Sequence, residues 1–126
     1  MVRKGIFYTK SHEWVRFEGE EAYIGISAYA AQEMGDIVYV ELPEEGEAVT
    51  AGEPFGSIEA VKAVEDVNSP MSGIILEINE DLEDTPELVG KDAYGDGWLI
   101  HIKLTELSEK EHLLDAAAYT KLIEES

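Results

Sequence analysis

The side chain whose setting could do chemistry is Lys62, at the centre of the stretch GSIEAVKAVEDVNSPMSG that runs from Gly56 to Gly73. Ala60 and Val61 precede it, Ala63 and Val64 follow it, and acids bracket this apolar patch: Glu59 on one side, Glu65 and Asp66 on the other. Gly56 bounds the stretch, and Asn68, Ser69, Pro70 and Gly73 supply turn chemistry at its far end. Ile58–Val61 and Ala63–Val67 read as short strands, which puts Lys62 where a hairpin reverses. A nucleophilic or Schiff-base lysine needs its pKa depressed by desolvation or by a nearby cation. The acidic neighbours favour the charged ammonium instead. A lysine held out on a fixed turn suits a modifying enzyme, although a plain solvated lysine also sits comfortably at a hairpin tip.

Other chemistry is thin. His12, His101 and His112 have no metal-ligand spacing, and no metal site is expected. His101 alternates with Ile100 and Ile102, which predicts that it points to the solvent face of a strand. The 28 acidic residues make paired carboxylates common by chance, so no pair stands out as catalytic. There is no nucleophile elbow or phosphate-cradling glycine loop. With no cysteine, the chain has no disulfide, thiolate metal site or thiol nucleophile, and any redox chemistry would need an attached group.

The formal net charge of −19 argues against nucleic acid or an anionic membrane as partner. It suits docking to basic protein surfaces, and solubility alone would explain it equally well. No apolar run approaches the length that spans a bilayer, and the start, MVRKGIFYTKSHEW, lacks a signal-peptide core. A cytoplasmic protein of bacterial or archaeal style is expected, or the mature form of an organellar matrix protein.

The elements that must position Lys62 are mostly short strands. The 126 residues, 44% apolar, predict one domain over residues 1–126 with a modest core. Phe7–Tyr8, Glu13–Phe17, Ala22–Ile26, Ile37–Leu42, Ile74–Ile78 and Trp98–Leu104 read as extended. Ile37–Leu42 shows the alternation of a half-buried strand. Ser27 and Gly35 are placed to cap a short helix over Ala28–Met34. In the tail, Ser108 and Glu111 form a capping-box pattern for a helix to about Leu114, and Asp115 is placed to cap another over Ala116–Ile123. Leu113, Leu114, Ala117, Tyr119 and Leu122 are the expected tail contacts with the core. The course from Gly35 through Pro43 and Val49–Gly52 to Ile58 is loosely echoed from Gly73 through Leu88–Gly90 to Ile102, which suggests two similar halves.

Four segments, SHEWV (Ser11–Val15), GDIVYVELPEEG (Gly35–Gly46), IEAVKAVEDVNSPMSG (Ile58–Gly73) and YGDGWLIHI (Tyr94–Ile102), resemble the H protein of the glycine cleavage system. The resemblance extends from about Tyr8 to Leu122, in order and register. It implies a mainly β fold, the barrel-sandwich hybrid of lipoyl domains, with a short internal helix and C-terminal helices. It also implies a covalent lipoate on Lys62. Biotin carriers use a similar hairpin with methionines beside the lysine, whereas Val61 and Ala63 stand there in this chain. No Ser/Gly-rich or Pro-rich linker is present, so the chain reads as a free-standing carrier.

The same resemblance implies a non-catalytic shuttle. A pyridoxal-phosphate glycine decarboxylase would load an aminomethyl group on the arm. A tetrahydrofolate-dependent aminomethyltransferase would take the one-carbon unit and release ammonia, and a flavin-containing dihydrolipoyl dehydrogenase would reoxidise the dithiol. A lipoate ligase or lipoyl transferase would attach the group, with Glu59 as its recognition mark. Ser11 and Glu13 match family positions that line a cleft for the loaded arm, and Glu33 stands where some relatives have a histidine facing that cleft. Two alternatives remain at this point: a protein serving chiefly in a lipoylation relay, and an unmodified structural or regulatory relative.

Overall fold

The structure, a computed structural model, describes residues 2–125. Nine strands and four α-helices follow one another as β1 (Phe7–Tyr8), β2 (Glu13–Glu18), β3 (Glu21–Ile26), α1 (Ala28–Met34), β4 (Ile37–Glu41), β5 (Ala48–Val49), β6 (Pro54–Ala60), β7 (Val64–Asn68), β8 (Gly73–Ile78), α2 (Asp81–Asp84), α3 (Leu88–Lys91), β9 (Ile100–Leu104) and α4 (Ala116–Glu124). A 3₁₀ helix, Leu107–His112, precedes α4. The strands form a six-stranded sheet in the order β1-β2-β3-β9-β8-β5 and a three-stranded sheet in the order β4-β6-β7. Every pairing between named strands is antiparallel.

The main core lies between the sheets. Val15, Ile24, Ile75, Ile100 and Ile102 from the large sheet meet Ile37, Val40, Ile58, Ala60 and Val67 from the small one. Burying each such aliphatic side chain stabilises the fold by roughly 1.5–3 kcal/mol. A second, aromatic cluster of Ile6, Tyr8, Trp14, Tyr94 and Tyr119 holds α4 against the outside of the large sheet. The echo between the two halves has a structural counterpart: β4 pairs with β6, and β8 pairs with β9. The connections differ, because the first half carries β5 and the second carries α2 and α3.

Helix α1 forms where its caps place it. The Ser27 side chain accepts from the Ala30 N–H, and Gly35, at φ 82°, returns its own N–H to the Ala31 carbonyl. Three local readings need correction. The alternation expected along Ile37–Leu42 is broken, because the β4–β6 register shifts between Ile37 and Tyr39 and leaves Val38 and Tyr39 both exposed. The Ser108–Glu111 pattern caps no α-helix. Both residues lie inside the 3₁₀ helix, which has no side-chain cap, and Glu109 instead accepts from the Ser72 N–H and hydroxyl at 2.7 Å each. Ala117 faces solvent, while its neighbour Ala116 packs against the aromatic cluster. The tail helix itself begins as expected, with the Asp115 carboxylate accepting from the Ala118 N–H.

Candidate functional site

Strands β6 and β7 form the hairpin anticipated around Lys62. Ala60 and Ala63 close the turn by exchanging backbone hydrogen bonds, the Ala60 N–H to the Ala63 carbonyl at 2.7 Å and the reverse at 3.4 Å, so Val61 and Lys62 are its two central residues. The Val61 N–H donates to the Asp36 carbonyl at 3.0 Å, which ties the turn to the α1–β4 connection. Lys62 is exposed, and among the described residues its amine has no hydrogen-bond or ion-pair partner. Its stem lies over the end of α1: a Cβ at Gly35 would stand 3.5 Å from the Lys62 Cε. Glu59 alternates with buried Ala60 and points outward from the same hairpin.

Ser11, Glu13 and Glu33 come together in one cleft of about 250 Å³. The β1–β2 connection contributes Ser11 and His12, the large sheet Glu13 and Ile26, α1 Tyr29, Ala30, Glu33 and Met34, and the small sheet Ile58 and Glu65–Val67. Glu13 is 2% exposed, yet its carboxylate has partners on both sides. One oxygen accepts from the Thr9 hydroxyl at 2.5 Å and the Ser11 hydroxyl at 2.6 Å, and the other from the Asn68 N–H at 3.2 Å, on β7 of the opposite sheet. Burial pushes the Glu13 carboxyl above the usual carboxylate range, and the hydrogen bonds from Ser11, Thr9 and Asn68 only partly counter it. The cleft therefore contains a desolvated carboxyl whose charged form a cation brought beside it would favour.

The sequence reading missed what holds this cleft in shape. His12 adopts φ 75°, a left-handed conformation for a non-glycine residue, between the two cleft side chains. Its Nδ1 lies 2.8 Å from the Tyr119 hydroxyl, which in turn lies 2.6 Å from the Ser27 hydroxyl that caps α1. Tyr119 stacks flat on Tyr8, with ring centroids 4.3 Å apart. Burial raises the Tyr119 hydroxyl pKa to about 12, and the same cause lowers that of His12 despite the nearby Glu65 and Glu33. Trp14 anchors the next position, donating from Nε1 to the Ala93 carbonyl at 2.9 Å and packing its indole where any side chain at Gly25 would stand. Trp14 of SHEWV and Tyr94 of YGDGWLIHI are thus scaffold, while Ser11, His12 and Glu13 line the cleft. An Ala93–Tyr94 pairing with Trp14 has no sequence signal beyond its aromatic content. His101 is also not simply solvated: it stacks on Tyr23 at 4.2 Å, with Glu21 at 2.8 Å and Glu77 at 3.1 Å from its two ring nitrogens.

Two facing sheets with paired halves, and a lysine on the exposed turn of the smaller one, define a barrel-sandwich hybrid. A family model described as glycine cleavage H-protein matches residues 6–126. The chain belongs to that family. It is 53% identical over 116 residues to the glycine cleavage system H protein of Bacteroides thetaiotaomicron, covering 92% of each chain. It is 45% identical over 125 residues to the mitochondrial glycine cleavage system H protein 2 of Arabidopsis thaliana, covering 99% of this chain and 80% of that one. The crystal structure of a glycine cleavage system H protein from Mycobacterium marinum superposes with a TM-score of 0.84 at 36% identity, covering 95% of this chain and 97% of that chain.

Proposed function

We propose that the protein is the lipoyl-bearing shuttle of a glycine cleavage system, modified on Lys62 and catalysing no step itself. The observation that carries this reading is the unpartnered Lys62 amine on a two-residue turn, at the end of the strand whose other end lines the cleft containing Glu13. Lysine and lipoate together reach roughly 14 Å. Val64 to Val67 along β7 spans roughly 10 Å at ~3.3 Å per residue, so the arm is long enough to lie along that strand into the cleft. The attached dithiolane would supply the thiol chemistry that accepts an aminomethyl group and is later reoxidised.

The residues of this chain then hold and shelter. Tyr29, Met34, Ile26 and Ile58 offer apolar walls that limit water, and Glu13, with Ser11, presents an anion and a hydroxyl to a bound ammonium. Glu33 adds a second carboxylate on the α1 wall. Glu59, outward-facing on the hairpin, is available to the modifying enzyme rather than to the cleft. The partners this reading requires are a pyridoxal-phosphate glycine decarboxylase, a tetrahydrofolate-dependent aminomethyltransferase, a dihydrolipoyl dehydrogenase and a lipoate ligase or lipoyl transferase. Tethering the reactive group lets it visit the three active sites at a high effective concentration.

The test is peptide mapping of protein incubated with lipoate, ATP and a lipoate ligase. The lipoyl mass is expected on the peptide that contains Lys62 and on none that contains Lys4, Lys10, Lys91, Lys103, Lys110 or Lys121. Mass on another lysine, or on none, would overturn the proposal.

A further inference from the structure

The three-stranded sheet carries an unusual outer face. In a regular strand, alternate side chains point to opposite sides, so β4 should show either Val38 or Tyr39 to solvent and bury the other. The register with β6 passes from Ile37↔Ala60 to Tyr39↔Glu59, so two steps on β4 oppose one on β6 and Val38 is an extra residue. The bulge turns both side chains out, Val38 at 48% exposure and Tyr39 at 52%. On the adjoining hairpin Val61 is 75% exposed and Val64 is 64% exposed. The pairings Tyr39↔Glu59 and Glu59↔Val64 align Tyr39 and Val64 in one row across the sheet on either side of Glu59, with Val38 in the adjoining bulge and Val61 in the Lys62 turn. Of the seven large hydrophobic residues exposed among those described, these are four; the others, Ile74, Leu76 and Leu107, lie outside this sheet.

Charge marks the same face at Glu59, which pairs with Tyr39 and Val64. The strands of this sheet contain Glu41, Glu59, Glu65 and Asp66 and no Lys or Arg, Glu65 pairing with buried Ile58 and lining the cleft, so Lys62 in the connecting turn stands alone among acids. A partner for this surface needs an apolar ridge flanked by basic side chains.

We infer that the bulged face of the small sheet, Val38, Tyr39, Val61 and Val64 with Glu59 in their midst, is the docking surface of the enzyme that acylates Lys62. This rests on Lys62 being the acylated residue. Proximity selects this occupant over the others. An enzyme that must bring the Lys62 Nζ to its own reacting group has to cover the side chains one and two positions from it. Enzymes that act at the far end of an arm roughly 14 Å long need not touch them. The bulge gives that enzyme a recognition element separate from the hairpin, so a lysine on an ordinary turn would lack half of the surface.

The experiment compares wild type with Val38→Ser/Tyr39→Ser and, separately, Val64→Ser, all in the full chain. Steady-state acylation by a purified lipoate ligase is followed by intact mass, with the thermal midpoint recorded for each variant. Wild type and variants lipoylated to completion are also assayed as substrates of the glycine decarboxylase. Both variants should raise the KM for acylation about tenfold, as truncating a buried interface anchor does, with kcat within about twofold. Their lipoylated forms should match wild type with the decarboxylase. A KM within about twofold of wild type for folded variants overturns this inference alone. An equal loss with the decarboxylase also overturns it, because the face would then serve partners in general. Failure of wild type to gain mass on Lys62 would overturn the underlying proposal and this one with it.

Discussion

Ile58 and Lys62 belong to one hairpin and have opposite relations to the fold. Ile58 is buried between the sheets, so Ile58→Ala should cost about 2–5 kcal/mol through lost burial and the cavity left behind. Lys62 is exposed and unpartnered, so Lys62→Ala should leave the thermal midpoint within about a degree while abolishing lipoylation. Scanning calorimetry and intact mass on the same samples check both; a large fall in the midpoint of Lys62→Ala would make that lysine structural. Glu13 presents a sharper conflict. Its carboxyl titrates above its unfolded value because burial disfavours the anion. The fold is therefore favoured where the group is protonated in both states, below about pH 4, and loses that advantage as pH rises through the raised folded value. Glu13→Gln keeps a carbonyl for the Asn68 N–H and an amide for the Thr9 and Ser11 hydroxyls, without the buried charge. It should raise the thermal midpoint of the unmodified protein by a few degrees at pH 7, with the difference vanishing towards pH 4. The same substitution should speed ammonia release from aminomethyl-loaded protein about tenfold or more, since a charge-assisted hydrogen bond to the ammonium is lost. A midpoint that falls at pH 7, or an unchanged release rate, would remove Glu13 from this role.

Among the elements, α4 lies on the opposite side of the large sheet from the core and still bears on the cleft, through one hydroxyl. With His12 neutral, the Ser27 hydroxyl can donate to the Tyr119 oxygen and Tyr119 to the His12 Nδ1. Tyr119→Phe keeps the stacking on Tyr8 but leaves the His12 nitrogen and the Ser27 hydroxyl each short of a partner. A loss of about 1–2 kcal/mol is expected, with faster amide hydrogen exchange at residues 11–13 as well as in α4. Unchanged exchange at those cleft residues would show that the tail merely covers the sheet. His12 adds a pH signature. Its pKa is lowered, so stability is complete above about pH 6.5 and declines as acid protonates the unfolded chain first. Local signals made some of these elements legible and left others hidden. Ser27 and Gly35 fixed α1, and Asp115 fixed the start of α4, because capping is a contact between near neighbours. The four-residue helices α2 and α3 have no side-chain cap and too few turns for a hydrophobic period. The bulge at Val38 is a property of the pairing with β6, which β4 alone does not encode. The lysine hairpin was readable from its own residues. The cleft was not: Ser11, Glu13 and Glu33 were named through family resemblance, and the Tyr119 network that shapes it joins residues too distant in sequence to signal one another.

Over the whole molecule, the excess of acid is unevenly spread. Several of the bases are already engaged near the large sheet: Arg16 pairs with Glu18 at 3.3 Å, Lys103 lies 3.7 Å from Glu20, and the Lys110 ammonium sits 4.9 Å from the ring centres of both Phe7 and Phe17. The small sheet has acids in its strands and Lys62 alone in its connecting turn. Acylation would turn that ammonium into a neutral amide and make the face more negative still. A net charge of −19 used for steering raises association rates with basic partners at low salt, and the gain decays as the Debye length shrinks from about 10 Å at 0.1 M towards 3 Å at 1 M. The same charge used only for solubility leaves those rates nearly flat. Raising NaCl from 0.05 to 0.5 M should therefore lower kcat/KM for lipoylation of Lys62 by about tenfold, chiefly through KM, with kcat at saturating protein little changed. Glu59→Gln should lessen that salt dependence, because it removes the charge that lies between Tyr39 and Val64 in the outward row. A ligase rate indifferent to salt would leave the acids as a solubilising coat and confine recognition to the apolar face.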